Sequence, residues 1–331
     1  VKPTSRNTGA ATVRFMFPGP GAMAGFPINM FRNDVRRTGF DGEGMKGPLP
    51  EYQTVDIGDA ELQYLLYDGP GPTLIMMHAT GFLPWLWHPI ARQLNSQYRI
   101  ICPYFCDHRE ADPEQGGLDW VRLAEDLIML CRFLDIRRPF MVGHSMGGAV
   151  MSIAVGRFGM DAAGMVLVEP ILLPREFYAI SLRVEDHPLA GKSIKRRNHW
   201  ENIAEARQYL KSKAFFQTWD AEMLDLYLTY GMVPSDNGGL ELACHPRKEA
   251  ALFMGSMGYD PWPILSKISC PTLVLEGEKT ENKGVIDFKK IADTIPRGQY
   301  RIVMGAGHLI PMEKPEETVD MIRWFLAPEE R

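Results

Sequence analysis

Short apolar runs alternate with amphipathic segments along most of the chain, and this pattern restricts the possible folds more than any other feature. The apolar runs predict strands buried on both faces: Thr73 to His78, Tyr98 to Tyr104, Pro139 to Gly143 and Met165 to Val168. The segments between them have helical periodicity, most clearly Asp119 to Leu134. Strands that alternate with helices indicate an α/β protein with a mostly parallel, doubly wound sheet.

The alternation stops at Pro170 and resumes at Pro271. The segments between these prolines have helical patterns: Glu201 to Lys213, Asp220 to Tyr230 and Arg247 to Met257. A helical block inserted between two sheet strands predicts a cap over the carboxyl edge of the sheet. We therefore predict a core formed by residues 51–170 and 264–331, and a helical cap formed by residues 171–263.

The first 50 residues differ in composition from the rest of the chain. They are rich in glycine, proline, asparagine and arginine and have no sustained period, which predicts an extended N-terminal arm. The arm carries apolar side chains such as Phe15 and Phe17, so we expect it to pack on the body or to form a homodimer contact. Prolines and glycines interrupt the apolar stretch from Phe15 to Phe31, and this stretch is therefore not expected to be a signal helix.

The composition excludes several classes of function. Of the 331 residues, 45% are hydrophobic and the net charge is −5 without a basic stripe, so a nucleic-acid partner is not expected. No apolar run reaches the roughly 18 residues that suggest a membrane span. The five cysteines are odd in number and contain no C-x-x-C pair, which favours reduced cysteines and a cytoplasmic location.

The segment Gly143-His144-Ser145-Met146-Gly147 fits G-x-S-x-G and lies between a predicted buried strand and a predicted helix. In this context the glycines permit a sharp turn that exposes a strained serine hydroxyl, which predicts Ser145 as a nucleophile. The helix amino end adds N–H groups that can face developing negative charge. Met146, the residue after the serine, is therefore predicted to supply one oxyanion-hole N–H.

A second polar loop, His78-Ala79-Thr80-Gly81-Phe82, directly follows a buried strand. Acyl transfer needs two N–H donors directed at the carbonyl oxygen, and the spacing predicts the backbone of Thr80 as the second donor. We interpret His78 as a residue that braces this loop, since the strand end requires polar partners.

A third loop, Gly305-Ala306-Gly307-His308, follows the final predicted strand. A serine hydroxyl is too weakly acidic to attack unaided, so an imidazole must accept its proton. His308 is predicted to be this general base, because its loop is at the same sheet edge as Ser145.

These three loops occur in the order that is typical of the α/β-hydrolase superfamily, which the chain resembles from about Glu51 to Leu326. The resemblance implies a catalytic triad with an acid, which many members place three residues after the glycine that closes the penultimate strand. Thr280 occupies that position here. We predict Glu169, at the end of the next strand after that of the nucleophile, as the acid; Glu278, Glu281 or a Ser–His dyad are the alternatives.

The residues together predict a carboxylesterase-like serine hydrolase that cleaves a small-molecule ester or lactone through an acyl-enzyme, without a metal or organic cofactor. Aromatic residues of the predicted cap could line a pocket for an apolar acyl or aryl group. Two alternatives stay open: a hydrolase of C–C bonds in diketone-like substrates, and a non-catalytic ligand-binding protein with the same fold.

Overall fold

The computed structural model describes residues 46–327, which are built around an eight-stranded sheet with the strand order β1-β2-β4-β3-β5-β6-β9-β10. β2 is antiparallel to β1 and β4, and the other neighbours in the sheet are parallel. A separate two-stranded sheet contains β7 and β8. The strands are β1 (Glu51–Asp56), β2 (Glu61–Tyr67), β3 (Thr73–Met77), β4 (Arg99–Pro103), β5 (Phe140–His144), β6 (Gly164–Val168), β7 (Met232–Pro234), β8 (Leu240–Leu242), β9 (Thr272–Gly277) and β10 (Gly298–Val303).

Helices follow most of the parallel strands and also occupy the long connection between β6 and β9. The α-helices are α1 (His88–Leu94), α2 (Trp120–Phe133), α3 (Met146–Phe158), α4 (Ala190–Lys195), α5 (Ile203–Lys211), α6 (Ala221–Tyr230), α7 (Pro246–Gly255), α8 (Trp262–Leu265), α9 (Phe288–Thr294), α10 (Ile310–Glu313) and α11 (Pro315–Leu326). Short 3₁₀ helices span Pro84–Trp87, Pro113–Gln115, Arg175–Ala179, Ala214–Phe216 and Glu281–Gly284.

The two longest helices of the core show why the sequence folds in this way. Asp119 caps α2, since its carboxylate accepts a hydrogen bond from the Val121 N–H at 2.8 Å. One face of α2 is apolar and packs against α3. By contrast, α3 is buried along most of its length and carries small and apolar residues around its circumference. It therefore serves as the central helix on one face of the sheet.

The predicted α/β-hydrolase fold is confirmed, and the strands and helices of the core begin and end within a few residues of their predicted limits. We expected only helices between β6 and β9, and this expectation is wrong, because β7 and β8 form an antiparallel pair there. There, Gly238 and Gly239 have positive φ and allow a turn that brings the two strands together.

The boundaries of the predicted cap stay a prediction, and residues 1–45 of the predicted arm lie outside the described residues. Within residues 46–327, no helix is both long and apolar enough to cross a membrane.

The topology brings several polar loops to one edge of the sheet. The parallel strands β3, β5, β6, β9 and β10 have the same direction, so their carboxyl ends lie along a single edge. The oxyanion-loop candidate follows β3, Ser145 follows β5, Glu169 follows β6, and the His308 loop follows β10. Such an edge is the usual place for ligand sites in open α/β sheets.

The turn after β5 depends on a close approach between its glycine and the neighbouring strand. A Cβ atom on Gly147 would lie 2.5 Å from the carbonyl oxygen of Met77, so Gly147→Ala must displace α3 from β3. We expect this substitution to lower the free energy of unfolding by about 1–3 kcal/mol in urea denaturation.

Gly284→Ala is the matched control for this experiment. No heavy atom lies within 4 Å of a Cβ placed on Gly284, so this change should alter stability by less than about 0.5 kcal/mol. Equal stabilities of the two variants would contradict the importance of the contact between Gly147 and Met77.

Candidate active site

Ser145 lies in a strained turn between β5 and α3. Its backbone has φ 55° and ψ −113°. Residues other than glycine rarely adopt this conformation, which costs about 1–3 kcal/mol. Two contacts fix this conformation: the Ser145 N–H donates to the Val168 carbonyl at 2.9 Å, and the Ser145 carbonyl accepts from the Ile171 N–H at 3.3 Å. The turn therefore holds the Ser145 hydroxyl at the carboxyl edge of the sheet.

His308 lies opposite this hydroxyl. Its Nε2 atom is 3.2 Å from Ser145 Oγ, which is hydrogen-bonding distance. The side chain is 19% exposed, so the pair is largely shielded from water. The backbone of His308 is also held in place, because its carbonyl accepts a hydrogen bond from His144 Nε2 at 2.9 Å. Burial and the nearby His308 lower the pKa of His144 well below its usual range, so His144 is neutral and can keep this donor role.

Glu169 contacts the other side of the His308 ring. Its Oε2 atom is 3.1 Å from His308 Nδ1, and the side chain is fully buried. Like Ser145, Glu169 has a positive φ, of 48°, which shows that the chain bends sharply where β6 ends. The structure thus brings Ser145, His308 and Glu169 into one line of hydrogen-bonded groups.

Other donors surround the Glu169 carboxylate. Oε1 accepts from the Gly277 N–H at 2.7 Å, and Oε2 accepts from the Thr280 hydroxyl at 2.8 Å and the Asn282 amide at 3.2 Å. The Asn282 amide nitrogen is also 3.0 Å from His308 Nδ1. Since the amide is a donor, both it and a protonated Nδ1 can direct hydrogen atoms at the same carboxylate oxygen.

Neither alternative acid of the sequence analysis is hydrogen-bonded to His308 within residues 46–327. Glu278 accepts a hydrogen bond from the Gly305 N–H at 2.8 Å and so braces the start of the His308 loop. Glu281 is exposed in the 3₁₀ turn. The sequence analysis did not predict that Thr280 and Asn282 bind Glu169 or that His144 binds the His308 carbonyl. A role for Thr280 could have been inferred from its position, where many hydrolases carry their acid.

The two predicted oxyanion donors, Met146 and Thr80, are both buried. Met146 is the first residue of α3, and the first N–H groups of a helix have no partner within the helix. Thr80 follows β3, and among residues 46–327 its N–H makes no hydrogen bond. Both N–H groups are therefore free to bind a ligand oxygen.

His78 links two loops, and its hydrogen bonds within residues 46–327 do not include Ser145 or Glu169. Its Nδ1 donates to the Ala79 carbonyl at 2.8 Å, and its Nε2 accepts from the Phe105 N–H at 2.9 Å. Burial lowers the pKa of His78 to about 4, so the ring stays neutral in this arrangement. These contacts agree with the bracing role that the sequence analysis assigned to His78.

A charged pair from the connection between β6 and β9 lies against the loop after β3. Arg196 Nη1 donates to the two carboxylate oxygens of Glu249 at 3.1 and 2.9 Å, and Arg196 Nη2 donates to the Tyr227 hydroxyl at 3.4 Å. Gly81 is directly beside this pair, since a Cβ on it would lie 2.1 Å from Glu249 Oε1. Gly81 has a φ of 78°, so both its space and its backbone favour glycine.

Comparison with known proteins agrees with the geometry of the fold. Residues 74–321 match the alpha/beta hydrolase family. The chain belongs to this family. It is similar to 2-(acetamidomethylene)succinate hydrolase of Mesorhizobium japonicum, with 23% identity over 276 residues that cover 82% of this chain and 94% of the relative.

Solved structures show the same fold. E-2-(acetamidomethylene)succinate hydrolase superimposes with a TM-score of 0.70 and 21% identity, over 84% of this chain and all of the other. A malate-bound esterase from Thermogutta terrifontis superimposes with a TM-score of 0.62 and 22% identity, over 83% of this chain and 98% of the other.

Substitution of Glu169 and Glu281 tests which glutamate is the acid that partners His308. Glu169→Gln removes the negative charge beside His308 Nδ1 and should lower kcat at least about a hundredfold, because an imidazolium would lose its partner. Glu281→Gln is the matched control and should leave kcat within about twofold. Measured under saturating substrate, a larger loss in Glu281→Gln than in Glu169→Gln would contradict the position of the acid.

The buried His78 generates a prediction for stability in acid. The pKa of His78 is about 4 in the folded protein against an ordinary 6.5, so the unfolded state binds more protons between these values. Stability must therefore fall as the pH is lowered through this window, by about 2 kcal/mol between pH 7 and pH 4.5 from this group. Urea denaturation of His78→Asn should show a smaller loss than the wild type; an equal loss would contradict the assignment.

Proposed function

We propose that the protein is a serine hydrolase that cleaves a carboxylic ester or lactone through an acyl-enzyme. Ser145 is the nucleophile, His308 the general base and Glu169 the acid of the triad. The observation that carries the proposal is the continuous line of contacts from Ser145 Oγ to His308 Nε2 at 3.2 Å and from His308 Nδ1 to Glu169 at 3.1 Å. This arrangement is the one that activates a weakly acidic serine hydroxyl.

In the acylation step, Ser145 Oγ attacks the carbonyl carbon while its proton moves to His308 Nε2. The electron pair of the carbonyl moves to its oxygen, which accepts hydrogen bonds from the N–H groups of Thr80 and Met146. When the bond to the alcohol oxygen breaks, the leaving group takes the proton from Nε2. The buried Glu169 carboxylate stabilises the imidazolium that exists between these two transfers.

In the deacylation step, water replaces the alcohol. His308 Nε2 accepts a proton from water as the oxygen attacks the acyl-enzyme, and then returns it to Ser145 Oγ when the carboxylic acid leaves. The donors from Gly277, Thr280 and Asn282 keep the Glu169 carboxylate in place during both steps. The protein residues thus supply every proton transfer that hydrolysis needs.

The connection between β6 and β9 is proposed to act as a cap that closes the site. Ser145 is only 6% exposed, which supports an enclosed reaction site. The cap contributes Glu249 and Arg196 beside Gly81, next to the proposed Thr80 donor.

The protein is also proposed to be cytoplasmic, which its free and buried cysteines support.

A fluorophosphonate probe tests whether the protein is an enzyme or a non-catalytic binder, because it reacts covalently with an activated serine. We expect the wild type to be labelled, and Ser145→Ala to lose both labelling and ester turnover by several orders of magnitude. Ser152→Ala is the matched control. Ser152 lies on α3, the helix that follows Ser145, and its hydroxyl donates to the Gly148 carbonyl, so its removal should leave labelling intact.

Labelling that persists in Ser145→Ala, or its absence in the wild type, would overturn the proposal. A panel of aryl and alkyl esters, lactones and diketones then separates ester cleavage from the alternative of C–C bond hydrolysis, which the same residues could support. Turnover of diketones alone would favour this alternative.

Protonation of the base generates a further prediction. An imidazolium cannot accept the proton of Ser145, so the acylation rate should fall as the pH is lowered into the range where a histidine is charged. The pre-steady-state burst of product measures this step. A burst rate that does not change from pH 5 to pH 9, or that survives in His308→Ala, would contradict the role of His308.

A further inference from the structure

A compact group of aromatic rings connects the loop after β3 with the connection between β6 and β9. Phe82 comes from the loop, and the other members come from the connection; we call the set the five-ring cluster, formed by Phe82, Phe215, Phe216, Trp219 and Tyr227. The Trp219 ring centroid is 4.9 Å from that of Phe216, 5.6 Å from that of Phe82 and 5.7 Å from that of Tyr227. Trp219 is therefore the central member.

The five-ring cluster is tied to both loops that the proposed reaction uses. Phe82 is the second residue after Thr80, whose N–H is a proposed oxyanion donor. On the other side, the residue after Trp219 bonds to the segment that follows His308: the Asp220 N–H donates to the Met312 carbonyl at 2.8 Å. These two connections attach the cluster to the chain segments that carry Thr80 and His308.

The indole of Trp219 carries an unused hydrogen-bond donor. Trp219 is 8% exposed, and its Nε1 atom has no hydrogen-bond partner among residues 46–327. A buried donor without a partner is unfavourable, and buried indole N–H groups usually find an acceptor. In a cluster attached to the loops of the proposed reaction, such a donor points to an acceptor that arrives with the ligand.

We propose that the five-ring cluster binds an aromatic ring of the substrate, next to the reacting carbonyl, and that Trp219 Nε1 donates to a neutral acceptor oxygen on this ring. The proposal rests on the proposed function, since it names the substrate class of the same site. Offset and edge-on ring contacts would hold the aromatic group, and an ether or carbonyl oxygen would complete the indole hydrogen bond.

The charges near the cluster explain why the acceptor is neutral. Within residues 46–327, Arg196 contacts the cluster by donating to the Tyr227 hydroxyl at 3.4 Å. Its charge is already matched by Glu249, whose carboxylate it contacts at 2.9 Å. A carboxylate on the substrate ring would add an unpaired negative charge in a desolvated place, which is costly.

The test measures binding of inert amide analogues to Ser145→Ala by isothermal titration calorimetry. The probes are 4-methoxyphenylacetamide, 4-ethylphenylacetamide of similar shape without an acceptor, 4-carboxyphenylacetamide, and cyclohexylacetamide. We expect the methoxy compound to bind about fivefold to tenfold more tightly than the ethyl compound. The charged and the non-aromatic compounds should bind more weakly than either.

Two tryptophan substitutions in the Ser145→Ala background identify the donor. Trp219→Phe keeps a ring but removes the N–H, and it should abolish the preference for methoxy over ethyl. Trp200→Phe is the matched control: Trp200 also has a buried Nε1 without a partner among residues 46–327, but it lies outside the five-ring cluster. This variant should keep the preference, and thermal melting should show that both variants are folded.

Each outcome bears on one of the two proposals. Equal binding of the methoxy and ethyl compounds, or a preference that survives Trp219→Phe, would overturn the aromatic-acceptor proposal while fluorophosphonate labelling of Ser145 still supports the hydrolase. If the fluorophosphonate does not label the wild type but the preference for methoxy over ethyl depends on Trp219, the aromatic binding site is supported and the serine mechanism is refuted.

Discussion

The position of the His308 ring at the candidate active site depends on the buried carboxylate of Glu169. An anion that is withdrawn from water is strongly unfavourable unless donors replace its hydration. Here the donors come from the Gly277 N–H at the end of β9 and from Thr280 and Asn282 in the turn beyond it. One charge therefore organises the ends of two neighbouring strands and gives His308 a fixed partner.

The imidazole is consequently held from two directions. Glu169 fixes the ring through Nδ1, while His144 fixes the backbone through the carbonyl of the same residue. The turn at Ser145 has its own supports, because the Val168 carbonyl binds its N–H and Gly147 packs against β3. Rigid placement of each partner before a ligand arrives reduces the reorganisation that the reaction would otherwise require.

The sequence predicted the sheet, the core helices and the loops with Ser145, Glu169 and His308, because burial periodicity and glycine-rich turns are local signals. It did not predict that Thr280 and Asn282 bind a glutamate more than a hundred residues earlier. Hydrogen-bond partners depend on how distant segments pack, and a single sequence carries no record of that packing. The short hairpin of β7 and β8 was missed for a related reason, since three-residue strands are too short to show a period.

The contact between Gly81 and Glu249 has a consequence for how this protein can vary. Because the carboxylate occupies the space that a side chain at position 81 would need, the two positions are sterically interdependent. A side chain at position 81 would require the end of the Glu249 side chain to move or to be shortened, and either change withdraws the carboxylate from its contact with Arg196. Changes in the connection between β6 and β9 and changes in the loop after β3 are thus expected to be inherited together.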